Sequence, residues 1–376
     1  MRILWISHRA EIGGAELSLV EGIQALSRRG HESHVVLPRP GSLEGRIAPF
    51  GVVHIHNHNP WVTHWPGLLT AARWASYNLR RAVPEIARLA RKIHADVILT
   101  NTITVPAGGF AACLARIPHV WFLHEFGARD HGLSFLCGRT LTLRLINSVS
   151  QSVIVNSEAL RRDVADDISG DKLRVVRYGV DVPAVANEHV RDGAFRMILV
   201  GAKQPSKGQQ DAVAAVGHLV SDGLDVRLDL VGGGNRLYEE SLKALAQSHG
   251  VQANVRFISF SNDPYSLVAA SDVALMCSRA EAFGRVTIEA MKLGKPVVGA
   301  AAGGTCELLR DGWNGYLYRA GDSRDLARCV TELYRDRDRA RQMGSRGRVW
   351  ALERFNLKTH GEDLETALTR ALRGRR

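Results

Sequence analysis

Short runs of Val, Ile and Leu, with little polar residue alternation inside them, recur along this chain, and each is followed by a turn and a helical stretch. Strands of that composition are covered on both faces, the situation of a parallel sheet flanked by helices. The spacing predicts strands at 2–7, 33–37, 52–56, 97–100, 119–123, 152–156 and 173–177. Helices are predicted between them at 14–28, about 66–94, 105–115, 132–149 and 157–168. The segment 181–193 has no clear period and reads as a linker.

A second series then begins. It predicts strands at 196–201, 226–231, 254–259, 272–277, 297–300 and 315–318, with helices at 208–222, 236–249, 284–293, 304–310, 322–334 and 338–353. A last helix is expected over about 357–372. Two such series mean two doubly wound α/β domains, each with its strand C-termini along one edge. The expected boundaries are 1–185, 186–355 and a C-terminal helix, 356–376, crossing back to the first domain. If the two edges face each other, a ligand sits in the cleft between them.

Composition narrows the class. Of 376 residues, 45% are hydrophobic and 23% charged, which fits a globular protein and excludes a disordered or collagen-like chain. No apolar run approaches the roughly 20 residues of a membrane-spanning helix, and Met1–Ser7 reads as a strand rather than a signal peptide. The five cysteines are scattered with no Cys-x-x-Cys, so neither a disulfide framework nor a structural zinc is expected, and a reducing cytoplasm fits. The net charge of +11 favours anionic partners: nucleotides, phosphorylated substrates, nucleic acid or an acidic membrane surface.

The segment from Ser278 to Pro296 concentrates the chemistry. It follows an apolar strand and predicts a helix that starts near Gly284 and stops at Gly294, ahead of Pro296. The N–H groups of a helix's first turn and its dipole favour an anion such as a diphosphate. Glu281 lies before this helix and Glu289 within it, so the two carboxylates can accept hydrogen bonds from hydroxyls at different ends of one ligand. An isolated Glu-x7-Glu spacing would read as a loop charge at Glu281 and a capping or surface residue at Glu289. This one is accompanied by glycine turns at three other strand ends: Lys207-Gly208, Gly232 to Gly234, and Gly303-Gly304.

With these pieces the chain resembles the retaining, nucleotide-sugar-dependent glycosyltransferases of the large family 4 type, which includes mannosyl-, glucosyl- and N-acetylglucosaminyltransferases. The matching pieces are Gly13-Gly14-Ala15-Glu16, His124-Glu125, Val155-Asn156-Ser157-Glu158, Tyr178-Gly179-Val180-Asp181, Lys207-Gly208, Glu281 to Glu289 and Gly303-Gly304. The resemblance implies a GT-B fold, two Rossmann-like domains with the acceptor on the first and the nucleotide sugar on the second. It implies that Lys207 binds and stabilises the departing diphosphate, Glu281 the hydroxyls of the transferred sugar, and Glu289 the ribose hydroxyls. Amides from Phe283, Gly284, Arg285 and Val286 help hold sugar and phosphates, and His124 sits at the sugar. Gly13 and Gly14 let the first helix approach the donor phosphate or the acceptor; Glu16 and Trp61, with His124, are acceptor-side candidates.

The chain departs from the family pattern in places. Ala202 stands where the family usually has an arginine, and Lys203 beside it is the candidate second cation. Ala282 replaces a common glycine, and Arg285 a common apolar residue. Arg285 could add a positive group at the donor or face solvent. Cys277 replaces a frequent proline.

Mechanistically, a nucleoside diphosphate leaves with growing negative charge, and one well-placed donor in a dry site supplies about 2.7–4 kcal/mol. No Asp-x-Asp ends a predicted strand, so a metal-independent reaction with no cofactor is expected. A UDP-sugar is preferred over GDP-mannose as donor. The acceptor is a cell-envelope glycolipid, a saccharide or polysaccharide intermediate, or a small molecule. The alternatives are a nucleotide-sugar epimerase or hydrolase of the same fold, or a glycosyltransferase acting on nucleic acid. The pI permits the last, but no basic–aromatic motif demands it, and no nucleic-acid partner is expected.

Two other features have competing readings. His54, His56, His58 and His64 alternate like metal ligands but lack a supporting Cys or carboxylate pattern; with Trp61 and Trp65 they read as a loop near the acceptor. Residues 71–94 carry Arg73, Arg80, Arg81, Arg88, Arg91 and Lys92 against a single acidic group, Glu85. That is a core helix with a solvated basic face, or a peripheral contact with an anionic membrane. Pro84 predicts a break or kink there.

Overall fold

The structure is a computed structural model and describes residues 1–62, 68–185, 193–259, 261 and 263–373. It divides into two compact units. The first is Met1–Val180 with Phe355–Arg376, and the second is Asp181–Arg354. Part of the expected linker, 186–192, lies outside the described residues.

Among the described residues the first unit is built on seven strands: β1 (Arg2–Ser7), β2 (Glu32–Leu37), β3 (Val52–Ile55), β4 (Val97–Asn101), β5 (His119–Leu123), β6 (Ser152–Val155) and β7 (Leu173–Val175). Their order is β3-β2-β1-β4-β5-β6-β7 and every pairing is parallel. Trp5 of β1 faces Val35 on one side and Leu99 on the other, so β1 is central and wholly covered. β1, β4 and β5 are buried almost throughout, which is why they read as unbroken apolar runs.

The second unit repeats the arrangement with β8 (Phe195–Val200), β9 (Val226–Val231), β10 (Val255–Ile258), β11 (Val273–Met276), β12 (Val297–Ala300) and β13 (Gly315–Tyr318). Their order is β10-β9-β8-β11-β12-β13, again all parallel. In both sheets the chain turns back on itself beside the first strand, between β1 and β4 and between β8 and β11. At such a reversal the two neighbouring loops leave in opposite directions and open a crevice at the strand C-termini, the usual ligand position of these sheets. Each sheet has its own core. Leu4, Ile6 and Ile98 pack with Ile86 and Ala111 in the first unit, and Met197, Leu199 and Leu228 with Val216 and Val330 in the second.

The last helix, Leu357–Arg373, packs on Gly14–Ser27 of the first unit. Small residues make the approach possible: a Cβ on Gly22 would lie 3.3 Å from Leu364, and one on Gly361 3.2 Å from Ala25. Val180 N donates to Phe355 O (3.0 Å), tying the start of that segment to the end of the first unit's main run. His31 and Arg29 both contact Glu365 of the same helix.

The basic stretch is one continuous helical rod with a defect. α-Helix runs over Leu68–Tyr77, π-helix over Asn78–Ala82 and α-helix over Val83–Lys92. Pro84 cannot donate to the carbonyl four residues back, and its ring crowds that turn; the wider turn just before it accommodates both. Val83, Ile86, Ala87 and Ala90 face the core, while Arg73, Arg80, Arg81, Arg88, Arg91 and Lys92 are exposed. Among the described residues no helix is long and apolar enough to cross a membrane.

Candidate functional site

At the reversal of the second sheet, two loops are sewn together by backbone. Arg279 N donates to Ser206 O (3.2 Å), and a Cβ on Gly208 would fall 2.0 Å from the carbonyl oxygen of Cys277. Gly208 also has φ +69°, so only glycine suits that position without strain. The close approach brings Lys207, from the loop after β8, onto Glu281, from the loop after β11: Nζ to Oε2 is 3.0 Å. Both side chains keep some solvent access, at 22% and 15%.

The Glu281 loop is itself braced. Gly304 N donates to Glu281 O (2.7 Å) from the turn after β12, and Phe283 is buried. Gly284, with φ +97°, caps helix Arg285–Lys292, and Gly294, φ +76°, follows just past its C-terminal end. The first turn of a helix has no intrahelical acceptor for its N–H groups, so this end of the helix suits an anion. Val286 is half-buried in that turn, and one turn further on Arg285 Nε lies 2.8 Å from Glu289 Oε1. The Tyr265 hydroxyl approaches the same oxygen at 3.4 Å. The Lys207–Glu281 pair thus joins the loops after β8 and β11, and the helix that follows Glu281 carries the Arg285–Glu289 pair.

Lys203 is placed differently from the expectation. It is buried, and its ammonium contacts Gly232 O (2.5 Å), Ile258 O (3.0 Å) and the Glu239 carboxylate (3.1 Å). A bridge to Gly234 continues the β8–β9 pairing through Lys203 and sends its side chain toward the ends of β9 and β10. Three partners match the three donors of an ammonium. This lysine therefore ties strand ends together and is not presented as a second cation for a ligand.

In the first unit the matching crevice holds His124. Its ring is buried, with Nε2 2.7 Å from Asn101 Oδ1 and Nδ1 2.5 Å from the Tyr178 hydroxyl. The amide oxygen of Asn101 can only accept, so Nε2 carries the proton and Nδ1 accepts from Tyr178. Asn156 Nδ2 donates to that hydroxyl (2.8 Å) and to His124 O (2.9 Å), and Asn101 Nδ2 donates to Ala15 O (3.2 Å). Burial drops the imidazole pKa to about 3, so the ring is neutral at pH 7 and a weak base. Its neighbour Glu125 is raised to about 8 by burial and by Asp130, while one of its oxygens accepts Ile103 N at 3.0 Å.

Glu16 is fully buried at the start of helix Gly14–Ser27. Burial pushes its carboxyl up, but His8 at 3.1 Å and Arg9 at 2.9 Å outweigh that and hold it below the ordinary range. The tip of the same arginine lies over Gly13, 1.8 Å from where a Cβ would stand. Gly14 has open space on its Cβ side.

Trp61 is packed into the first unit. It is buried, its indole N–H donates to Ile103 O (2.6 Å), and its ring stacks on Trp121 at 5.6 Å between centroids. The described histidines do not converge. His54 pairs with His34 (2.9 Å), His56 faces Glu85 (3.5 Å), and His58 is buried between His56 O and Ser7 O, both at 2.8 Å. His64 and Trp65 lie outside the described residues.

Sequence reasoning gave no role to Asn101, Tyr178, Asn156 or Tyr265. Asn156 and Tyr178 belong to motif pieces quoted above, and their common target is His124. Asn101 carries only the signal of a polar residue closing a buried strand at the sheet reversal.

Comparison with known proteins agrees with this geometry. Residues 12–183 match the model of Glycosyltransferase Family 4, and residues 185–350 that of Glycosyl transferases group 1. The chain is 32% identical to the N-acetyl-alpha-D-glucosaminyl L-malate synthase of Bacillus anthracis, over 96% of this chain and 95% of that one. It is 35% identical to the D-inositol 3-phosphate glycosyltransferase of Nocardia farcinica over 47% of this chain and 41% of that one. Among solved structures, Anabaena Alr3699/HepE in complex with UDP and glucose superimposes with a TM-score of 0.82 at 25% identity, covering 98% of this chain and 99% of that one. Two all-parallel Rossmann-like units, a Lys207–Glu281 crevice and matches across both halves lead to one conclusion: this chain belongs to the GT-B glycosyltransferases, with a family 4 N-terminal half and a group 1 C-terminal half.

Proposed function

We propose that this glycosyltransferase uses a nucleoside diphosphate sugar, a UDP-sugar before GDP-mannose, and transfers the sugar with retention of configuration and without a metal ion. The observation that carries the reading is the Lys207–Glu281 contact at 3.0 Å. A lysine beside a carboxylate at a sheet reversal supports a cation for the departing phosphate next to an acceptor for sugar hydroxyls. Glu289, one helix turn inside, takes the ribose hydroxyls, and the start of its helix takes the diphosphate. The HepE complexes with UDP and with UDP-glucose support uridine as the base. His124, neutral and bonded through both nitrogens, shapes the sugar side of the first unit and does not shuttle protons.

For the acceptor, the relative matched over 95% of its length is named for transfer to L-malate, which favours a small hydroxylated molecule over a polymer. The exposed arginines of 73–91 and the half-exposed Leu79 support a second contact, with an anionic membrane surface.

The test is a thermal-shift panel of UDP, GDP, ADP, TDP and CMP with their common sugar conjugates. A ligand at a hundredfold excess over Kd stabilises the folded state by about 2.7 kcal/mol. UDP is expected to give the largest shift; a larger shift with GDP would move the donor to GDP-mannose, and none with any would remove the nucleotide-sugar reading. Turnover is also expected to survive EDTA, and loss restored by magnesium would refute the metal-free mechanism.

A further inference from the structure

Arg285 stands where the family pattern has an apolar residue, and the structure gives it a partner. Arg285 and Glu289 lie one turn apart on the same helix face, with Nε 2.8 Å from Oε1. Their side chains are only 10% and 11% exposed. Tyr265, from helix Pro264–Ala269, brings its hydroxyl to 3.4 Å from the same Oε1. The contacts converge on one oxygen and fix the direction of the carboxylate.

A guanidinium stays charged at all working pH values and holds a planar partner with little residual motion. Arg285 therefore fixes the rotamer of Glu289 before a ligand arrives.

We propose that Arg285 is a positioning residue that makes this enzyme select ribonucleotide over 2′-deoxyribonucleotide donors, acting through Glu289. The inference rests on the reading above in which Glu289 binds the ribose hydroxyls. Its physical basis is preorganisation: a carboxylate already held in place accepts a ribose hydroxyl without an ordering cost, a mobile one pays that cost, and a ligand without the hydroxyl draws on neither. If Arg285 instead contacted the diphosphate directly, its loss would weaken both kinds of nucleotide alike.

The experiment is calorimetric titration of the full chain with three matched pairs: UDP and 2′-deoxy-UDP, GDP and 2′-deoxy-GDP, ADP and 2′-deoxy-ADP. The wild type is expected to favour the ribose member of its tightest pair by about thirtyfold. Glu289→Gln and Arg285→Leu should each bring that ratio to about threefold, with affinity for the deoxy member nearly unchanged. Arg285→Gln, which keeps bulk and polarity without charge, should behave like Arg285→Leu, and Arg285→Lys should recover part of the ratio. Ligand-free melting temperatures within a few degrees of wild type show that each variant is folded. An unchanged ratio in folded Arg285→Leu and Arg285→Gln, or equal weakening of both members, overturns the inference while a collapsed ratio in Glu289→Gln keeps the ribose reading. A full ratio in Glu289→Gln, or no binding of any nucleotide, overturns that reading and this inference with it.

Discussion

Alanine in place of Lys207 is expected to lower kcat by about 10²–10³-fold while leaving the protein folded. The lysine's ammonium sits 3.0 Å from Glu281, so a donor placed with its sugar on Glu281 has its leaving phosphate beside a fixed cation. Charge on that phosphate is larger in the transition state than in the bound donor. Loss of the cation should therefore fall on kcat and kcat/KM together, with a smaller change in donor affinity. The loop itself does not depend on the side chain. Its shape comes from Gly208, from the Arg279 N to Ser206 O bond and from the turn in which Lys207 N donates to Gln204 O. The pair is partly open to solvent, so the melting temperature should move by only a few degrees. Glu281→Ala should be comparably inactive by loss of the sugar-hydroxyl acceptor. The check is initial rates with the donor found by the nucleotide panel, beside a melting curve; near-normal turnover in either variant would remove the assigned site.

The fold was legible because its signal is local. Strands buried on both faces must be apolar along their whole length, and all thirteen observed strands fall within a residue or two of the expected ranges. The short helices Leu43–Ile47 and Pro264–Ala269 were not expected, since five or six residues are too few to show a 3.6-residue period. The expected helix over 132–149 begins only at Arg139, with a separate turn of helix at Ala128–His131 before it. Gly132 and Gly138, both at positive φ, interrupt it. In the basic stretch the proline announced a disturbance, but not that it would take the form of a π turn.

The site was legible only where backbone chemistry dictates it. Gly208, Gly284 and Gly303 mark positive-φ turns, and the two carboxylates follow from their spacing around a helix start. Side-chain direction was not legible. Lys203 is next to the family's arginine position, yet the strand alternation carries it to the carbonyls of Gly232 and Ile258. Trp61 read as part of a loop near the acceptor, but Trp121, sixty residues away, supplies a ring to stack on. Each of these outcomes depends on a partner distant in sequence.

The largest effect away from any ligand-contacting side chain is expected at Gly303. Its φ of +54° already costs a residue with a Cβ about 1–2 kcal/mol. A Cβ there would also lie 2.2 Å from the carbonyl oxygen of Glu281, and one on Gly304 would lie 2.6 Å from that of Ala282. The turn after β12 is thus laid backbone against backbone on the loop that carries Glu281, and Gly304 N donates to Glu281 O across the contact. Neither side is a flexible side chain that can swing away. Gly303→Ala must push the Glu281 peptide outward and stretch that hydrogen bond, which moves the carboxylate relative to Lys207. A displacement of about 1 Å at a reacting centre costs about 10²-fold in rate. Gly250→Ala is the control: its φ is +69°, but a Cβ there meets nothing within 4 Å. It should lose about 1–2 kcal/mol of stability and keep full nucleotide affinity and turnover. Gly303→Ala should lose more stability than the control, and turnover should fall by about 10²-fold even at temperatures where the variant is fully folded. Equal activity in the two variants would mean that the Glu281 loop tolerates displacement, and that its contact with the β12 turn serves the fold alone.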